Sequence, residues 1–244
     1  MTVQFVCGSS IEEVYPKILR TIVTIGREIE IPDGSNTWKT VEFPGVIVTE
    51  ITDVIHVAPH KIGPYQKKFL EVYIEMFLNS IDTQFDYTYG NRIRQYHYSI
   101  DQLQRICKIL NEVPQSRRAI INIGDPVEDI EVVPCLQLID FKIREKLMCV
   151  AYFRSHDAYR GFPANAYALS ELMRIVAGRC KVECGSLTII SNKAHIYLKD
   201  IDEVLKIIGK HDAYLDIAGY GVLGVMNSPP VGPTYIKPLG GELE

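Results

Sequence analysis

A cysteine directly after a proline is the first candidate for chemistry in this sequence. The stretch VPCLQLIDF, residues 132–140, places Cys135 after Pro134 and at the head of an apolar run. Alone, the pattern favours a buried structural thiol, because free cysteines are usually small core residues. A thiol becomes a nucleophile when it ionises beside a positive charge. Which of these applies to Cys135 depends on polar residues elsewhere in the chain.

Several polar segments are not explained by a core pattern. Each one alone is typical of a solvated charge pair or of a loop that contacts a small ligand. The last pair falls on one face of a predicted strand, because strand side chains alternate with a period of two. In chain order the segments are Arg117 with Arg118, FRSHD at 153–157, GFPAN at 161–165, and His195 with Tyr197.

Taken together, these segments resemble the thymidylate synthase family. That family carries an Arg-Arg pair, a Pro-Cys nucleophile, Arg-Ser-x-Asp, Gly-x-Pro-x-Asn and His-x-Tyr. The same motifs occur here in the same order with compatible gaps, and TYGNRIRQY at 88–96 resembles the family's Tyr-Gly segment. The resemblance covers residues 85–205. Five ordered motifs match by chance far less often than one, so Cys135 is predicted to be the nucleophile.

The resemblance implies transfer of a one-carbon unit to C5 of dUMP, which gives dTMP. Attack of the Cys135 thiolate at C6 turns C5 into an enolate-like carbon, so a covalent intermediate divides a difficult step into easier ones. The ordinary thiol pKa of about 8.5 should be depressed for this purpose, and Arg154 is the predicted source of positive charge. Tyr89, from the Tyr-Gly segment, is expected beside the reacting carbon.

The resemblance also implies how the nucleotide is held. Asn165 would offer a donor to O4 and an acceptor to N3–H of uracil, and the pair His195 and Tyr197 would bond the sugar hydroxyl. Guanidinium groups suit the phosphate because they can donate to two oxygens at once. In the family the Arg-Arg pair reaches into the other subunit's site, which implies a homodimer with shared active sites. The remaining substrate-binding residues are predicted to be Arg117, Arg118, Arg154, Ser155 and Asp157.

The chain departs from the family pattern mainly on the side of the one-carbon donor. The usual phosphate loop is missing, and Arg27 is the nearest candidate for its arginine. The early-helix glutamate corresponds to either Glu71 or Glu75, and the only tryptophan is Trp38. The pattern resembles the short archaeal branch of the family. We therefore expect a methylene-tetrahydropterin carrier of the tetrahydromethanopterin type, with methylene-tetrahydrofolate as the alternative.

Two other functions remain open at this point. One is a pyrimidine nucleotide hydroxymethylase acting on dUMP or dCMP, in which water instead of hydride completes the reaction. The other is a non-catalytic nucleotide-binding regulator. The presence of both Cys135 and Arg154 argues against the regulator.

Composition excludes several further classes. The net charge of −4 leaves no basic surface for a nucleic acid polymer. The N-terminus lacks a secretory signal pattern, and no apolar run has membrane-spanning length. The six cysteines are scattered along the chain and do not indicate a disulfide framework. CKVEC at 180–184 lacks a second Cys/His pair, so no metal site is predicted. We expect a reduced, cytoplasmic protein.

Apolar spacing predicts the elements that position these residues. Helices are expected over 9–26, with capping serines, over 64–78, over 99–113 with Ser99 as cap, and over 165–178. Strands are expected in AIINI, LQLIDFKI, LMCVAYF, SLTII and AHIYL, and around Pro44-Gly45. The expected fold is a single α/β (α+β) domain over 1–244. It has a mixed β-sheet, helices mainly on one side and, by resemblance, a sheet-mediated homodimer.

Overall fold

The computed structural model describes residues 2–33, 36–54, 63–81 and 87–217. The chain divides into two compact units, Met1–Ile208 and Gly209–Glu244. The first unit carries all the strands described below, and of the second only the helical residues 209–217 are described. The single domain over 1–244 stays a prediction.

The described residues alternate between strands and helices without a strict βαβ order. The strands are β1 (Thr2–Gly8), β2 (Arg27–Asp33), β3 (Asn36–Glu42), β4 (Gly45–Ile51), β5 (Ile120–Asn122), β6 (Leu136–Ile143), β7 (Leu147–Phe153), β8 (His156–Asp157), β9 (Cys184–Asn192) and β10 (Ala194–Tyr197). The helices are α1 (Ile11–Ile25), α2 (Lys67–Leu78), α3 (Tyr89–Arg94), α4 (Gln102–Glu112), α5 (Gly161–Cys180) and α6 (Ile201–Ile217).

The larger sheet has six strands in the order β1-β4-β9-β7-β6-β5. It is mixed, because β1–β4 and β9–β7 are parallel whereas the other neighbours are antiparallel. Helices α1, α4 and α5 pack against its strands, and alternate strand residues such as Ile139, Phe141 and Ile189 are fully buried. The predicted α/β class, with a mixed sheet and helices on one side, is confirmed.

The other face of the larger sheet is only half-buried. Strand pairing aligns Leu138 with Tyr152, Asp140 with Val150, and Tyr152 with Ile190 across neighbouring strands. All of these side chains retain partial exposure. The face is mostly apolar, which is unusual for a sheet surface that remains in water.

A second, four-stranded sheet was not predicted. Its order is β2-β3-β10-β8, and one register row runs across it through Arg27, Glu42, His195 and Asp157. The chain passes from this sheet into the larger one at Pro44-Gly45, the break that the sequence indicated. A Cβ on Gly45 would lie 2.0 Å from the backbone oxygen of Thr2, so any larger residue would push β1 and β4 apart.

Helix α1 begins as its serines predicted. The backbone N–H of Glu13 donates to Ser10 Oγ at 3.3 Å, and Glu13 Oε2 accepts from the N–H of Ser9 at 2.7 Å. These bonds satisfy amides that have no partner within the helix. The helix ends before Gly26, also as predicted.

Three details of the other helices were predicted wrongly. Helix α4 is capped by Asp101, whose carboxylate accepts from Gln104 N at 2.8 Å, and not by Ser99. Helix α5 starts at Gly161, so GFPAN forms its first turn, and it runs past Gly178 to Cys180.

The predicted apolar face of α2 is only partly buried; the apolar spacing had assigned to it Phe69, Val72, Tyr73, Met76 and Phe77. Phe69 and Val72 are 47% and 53% exposed, whereas Leu70 and Phe77 are buried. The buried stripe is rotated by about one residue because it follows Leu70, Tyr73 and Phe77 at helical spacing. No helix within the described ranges combines the length and apolarity that a membrane crossing needs.

Candidate active site

Cys135 lies immediately before β6, where the end of β7 reaches it. The backbone N–H of Arg154 donates to the Cys135 carbonyl at 2.9 Å. The Arg154 side chain turns back under the same segment, where Nε donates to Pro134 O at 3.0 Å and Nη2 donates to Val133 O. Two strands therefore hold the guanidinium beside the half-buried thiol.

Burial and Arg154 act on the Cys135 thiol in opposite directions. Burial raises the pKa of Cys135 above its ordinary value, and this is the larger effect. Arg154 lowers it, as predicted, whereas the nearby Asp157 carboxylate raises it further. The prediction of a depressed pKa is therefore wrong, because desolvation of the thiolate outweighs one guanidinium that already bonds two carbonyls.

Tyr89 contacts the residue that follows Cys135, and its position beside the reacting carbon stays a prediction. Its hydroxyl accepts a long hydrogen bond from Leu136 N at 3.4 Å, and its ring packs edge-on against Phe77 at 5.3 Å. Burial raises the pKa of Tyr89, so the phenol remains protonated at neutral pH. A cavity of about 130 Å³ opens here, lined by Tyr73, Met76, Phe77, Tyr87, Thr88 and Tyr89.

Asn165 is buried in the first turn of α5 and has two side-chain partners. Tyr73 donates from its hydroxyl to Asn165 Oδ1 at 2.5 Å, and Asn165 Nδ2 lies 3.2 Å from His156 Nε2. His156 Nδ1 lies 2.8 Å from Ser191 Oγ. A continuous hydrogen-bonded chain thus runs from α2 through α5 and β8 to β9.

His156 is kept neutral by its surroundings. Its ring stacks on Phe153 with centroids 3.9 Å apart, and burial, helped by His195, lowers its pKa to about 3. A neutral imidazole has one donor and one acceptor nitrogen. If Asn165 Nδ2 donates to Nε2, then Nδ1 carries the proton and donates to Ser191.

We expect His156 to make the fold sensitive to acid. The unfolded chain takes up a proton near the ordinary pKa of about 6.5, whereas the folded protein does not until about pH 3. Folding stability from this group is therefore lost as pH falls below that unfolded value, by about 2 kcal/mol between pH 7 and 5. Urea unfolding at both pH values should show this loss in the wild type relative to His156→Gln, which cannot titrate. Equal pH dependence of the two proteins would contradict the prediction.

Asp157, His195 and Tyr197 lie together at one end of the smaller sheet. Asp157 and His195 are paired across β8 and β10, and His195 Nδ1 lies 3.0 Å from Lys193 O. The His195 and Tyr197 rings meet edge-on at 5.2 Å. Asp157 Oδ1 accepts from Tyr159 N and Arg160 N, while burial raises the pKa of its carboxyl.

Arg27 and Ser155 are placed near this group, but less directly. Arg27 is exposed at the start of β2, in the same register row as His195 and Asp157. Adjacent strands lie about 4.8 Å apart, so its backbone is about 10 Å from that of His195. Ser155 lies between Arg154 and His156 and is half-exposed.

Arg117 and Arg118 are far from the thiol of their own chain. Both are exposed, and they precede Ala119, whose carbonyl accepts from Phe141 N at 2.9 Å. Phe141 is six residues beyond Cys135, which corresponds to about 20 Å along β6. Within one chain, these arginines therefore lie far along β6 from Cys135.

The structure brings in three side chains that sequence reasoning missed. Tyr73, His156 and Ser191 complete the chain of contacts to Asn165. Neither candidate for the family's early-helix glutamate takes part in this chain of contacts. Glu71 is exposed beside Lys67, and Glu75 is exposed and accepts a hydrogen bond from Asn79. Only His156 had a visible signal, its position inside the Arg-Ser-x-Asp motif.

A buried ion-pair network supports the segment that leads to Cys135. Arg92 on α3 contacts Asp129 at 2.6 Å and Glu128 at 2.8 Å. Among the described residues, His97, Asp125 and Glu128 form a group whose potential metal-ligand atoms lie within 4.8 Å of one another. Arg92 also lies 3.9 Å from Asp125, so a cation at this group would meet a fixed positive charge.

The fold is that of an α/β protein, and its candidate site is centred on the half-buried Cys135. The thymidylate synthase family model matches residues 29–216. A Methanosarcina barkeri protein named "Putative thymidylate synthase" is 36% identical over 209 residues, which is 84% of this chain and 94% of that protein. A Methanothermobacter thermautotrophicus protein of the same name is 36% identical over 218 residues, covering 81% and 96% of the two chains. The chain belongs to the thymidylate synthase family.

Proposed function

We propose that the protein transfers a one-carbon unit to C5 of dUMP through a covalent adduct with Cys135 and thereby forms dTMP. The proposal is supported chiefly by the position of Cys135, held at the entry of β6 with Arg154 and Tyr89 against it. Attack of the thiolate on C6 makes C5 nucleophilic, and Arg154 favours the ionised thiol. Because burial raises the pKa of Cys135, binding of the substrate has to stabilise the thiolate.

The nucleotide is held by groups at three positions in this proposal. Asn165 reads O4 and N3–H of uracil, and His195 with Tyr197 bonds the sugar hydroxyl. The phosphate is bound by Arg154 and Ser155 of one subunit together with Arg117 and Arg118 of the other, and Arg27 stands at the rim. Asp157 holds the turn into α5 through its bonds to Tyr159 N and Arg160 N.

A homodimer supplies the second pair of arginines. It is supported by the roughly 20 Å that separates Arg117 and Arg118 from Cys135 within one chain. The half-buried apolar face of the larger sheet, around Val150, Tyr152 and Ile190, is the surface we assign to the interface. All six cysteines are free thiols, which supports a cytoplasmic, reducing location.

The carbon comes from a methylene-tetrahydropterin carrier, which would supply the one-carbon unit and the hydride. The aromatic cavity beside Tyr89 suits a flat ring, because aromatic side chains stack on planar ligands. Trp38 is not part of it, since it packs on Tyr197 at 5.6 Å in the smaller sheet. We favour a carrier of the tetrahydromethanopterin type over tetrahydrofolate.

The carrier preference predicts different rates of tritium release from C5-labelled dUMP. Release should be faster with methylene-tetrahydromethanopterin than with methylene-tetrahydrofolate, because the tryptophans that bind folate in the family are absent. Omission of each carrier is the control for spontaneous exchange. Fast release with the folate and none with the methanopterin would overturn this part of the proposal.

Intact-mass measurement with 5-fluoro-dUMP tests the reaction itself. With the methylene-tetrahydropterin carrier also present, fluorine at C5 cannot leave as the proton does after carbon transfer, so the covalent complex should accumulate and raise the protein's mass. Cys135→Ser should show no adduct. Tight binding without an adduct would indicate a regulator. Formation of 5-hydroxymethyl-dUMP instead of dTMP from dUMP would indicate a hydroxymethylase.

The base preference makes a separate prediction. The wild type should bind dUMP more tightly than dCMP by about 1–3 kcal/mol, because cytosine would leave buried polar groups unpaired. Asn165→Asp should shift the preference toward dCMP, since a carboxylate accepts where the amide donates. Titration calorimetry of both nucleotides measures this, with Asn111→Asp, at an exposed position of α4, as the control. Equal wild-type affinities would contradict the role of Asn165.

A further inference from the structure

Among the histidines that the structure describes, His156 is the one that contacts Asn165, and its ring is fixed from several sides. Phe153 stacks on the ring, and the centroid of the Phe162 ring lies 5.7 Å from that of His156. Ser191 forms a hydrogen bond with its Nδ1. The ring is 2% exposed. It therefore has little freedom to rotate, and its two nitrogens keep their partners.

The amide of Asn165 has two N–H donors and two acceptor lone pairs. His156 Nε2 uses one donor, and the Tyr73 hydroxyl uses one lone pair. One donor and one acceptor remain, in a defined order along the amide edge. Uracil needs a donor for O4 and an acceptor for N3–H, whereas cytosine needs the reverse order.

The opposite amide orientation is also compatible with hydrogen bonding. If Nε2 of His156 carried a proton, Asn165 would turn its Oδ1 toward the ring, and the order of donor and acceptor facing the base would be reversed. When the Ser191 oxygen accepts from Nδ1–H, the proton is kept away from Nε2, which then accepts from Asn165. Burial prevents a second proton from binding, so Nε2 stays unprotonated whenever Nδ1 carries the proton.

We propose that His156 is a positioning residue that fixes the amide orientation of Asn165 and so sets the preference for uracil over cytosine. This inference rests on the proposed function, in which Asn165 contacts the base. Ser191 acts through His156, because it fixes which ring nitrogen accepts the hydrogen bond from Asn165.

The test compares affinities for dUMP and dCMP across matched variants of the full chain. His156→Leu keeps bulk but removes the acceptor, and should lower the dUMP:dCMP affinity ratio about tenfold. His156→Gln retains an acceptor near Nε2 and should keep most of the ratio. Ser191→Ala should lower the ratio less than His156→Leu does. Ser170→Ala, which removes a buried hydroxyl that bonds Ala166 O, should leave it unchanged.

A general loss of packing would weaken both nucleotides together and leave their ratio intact, so the ratio separates positioning from structural support. An unchanged ratio in both His156→Leu and Ser191→Ala overturns the inference while leaving the proposed function standing. If His156→Leu does not fold, Ser191→Ala and His156→Gln still decide, because only the former should change the ratio. A wild type that binds neither nucleotide overturns the proposed function itself.

Discussion

Cys135→Ser should lower dTMP formation by more than about a hundredfold, because a serine hydroxyl is a far weaker nucleophile than a thiolate. Binding of dUMP should remain close to wild type, since the proposed contacts to phosphate, sugar and base come from other residues. Serine also preserves the size of the side chain, so the hydrogen bond from Arg154 N to the carbonyl at 135 should persist. Turnover and calorimetric affinity, measured on the same preparation, separate the two effects.

Cys184→Ser is the matched control for this substitution. Cys184 is also half-buried, and burial raises its pKa as it does for Cys135. It lies at the start of β9, paired with Leu147 at the far end of β7 from Arg154. Its variant should keep wild-type turnover. If Cys135→Ser retained more than a few per cent of activity, the assignment of the nucleophile would be wrong.

Mixing Arg117→Ala with Cys135→Ser should restore activity that neither variant has alone. In a hybrid dimer, one site combines the intact cysteine of the first chain with the intact arginine of the second. Equal mixing makes half of the dimers hybrid, each with one working site of two, so about a quarter of wild-type activity is expected. The measurement is turnover after subunit exchange, with exchange verified by mass tags on the two variants.

The double variant Arg117→Ala/Cys135→Ser provides the control for the rescue. Mixed with either single variant, it cannot form an intact site, so no activity should return. A chain that sediments as a monomer would exclude the shared site. No rescue after verified exchange would show that Arg117 serves its own subunit, despite the distance along β6.

The sequence predicted elements well where local signals were strong. The serines before α1, the alternation in β6 and β7, and Pro44-Gly45 each act within a few residues, so periodicity and capping chemistry are sufficient. Strand β2 was missed because its alternation includes only Ile29 and Ile31 before Pro32, a run too short for periodicity to decide. Both isoleucines remain partly exposed, at 39% and 43%.

The candidate site was predictable only as far as its motifs reach. The resemblance named Cys135, Arg154 and Asn165, which the structure places around one end of the sheets. The partner of Asn165 on α2, Tyr73, is 92 residues away in sequence. Such contacts depend on how the whole chain packs, and helical spacing wrongly assigned Phe69 and Val72 to the buried face of α2. The net pKa direction of Cys135 was missed for a similar reason, since desolvation is a property of the assembled site.

The burial of Cys135 has a consequence for oxidative damage. Peroxides attack the thiolate and not the thiol, and the first product, sulfenic acid, would end nucleophilic chemistry at that sulfur. Because burial raises the pKa of Cys135 despite Arg154, the resting protein exposes little thiolate to an oxidant. Because the protonated sulfur is a weak nucleophile between turnovers, it is also protected from oxidation during that time.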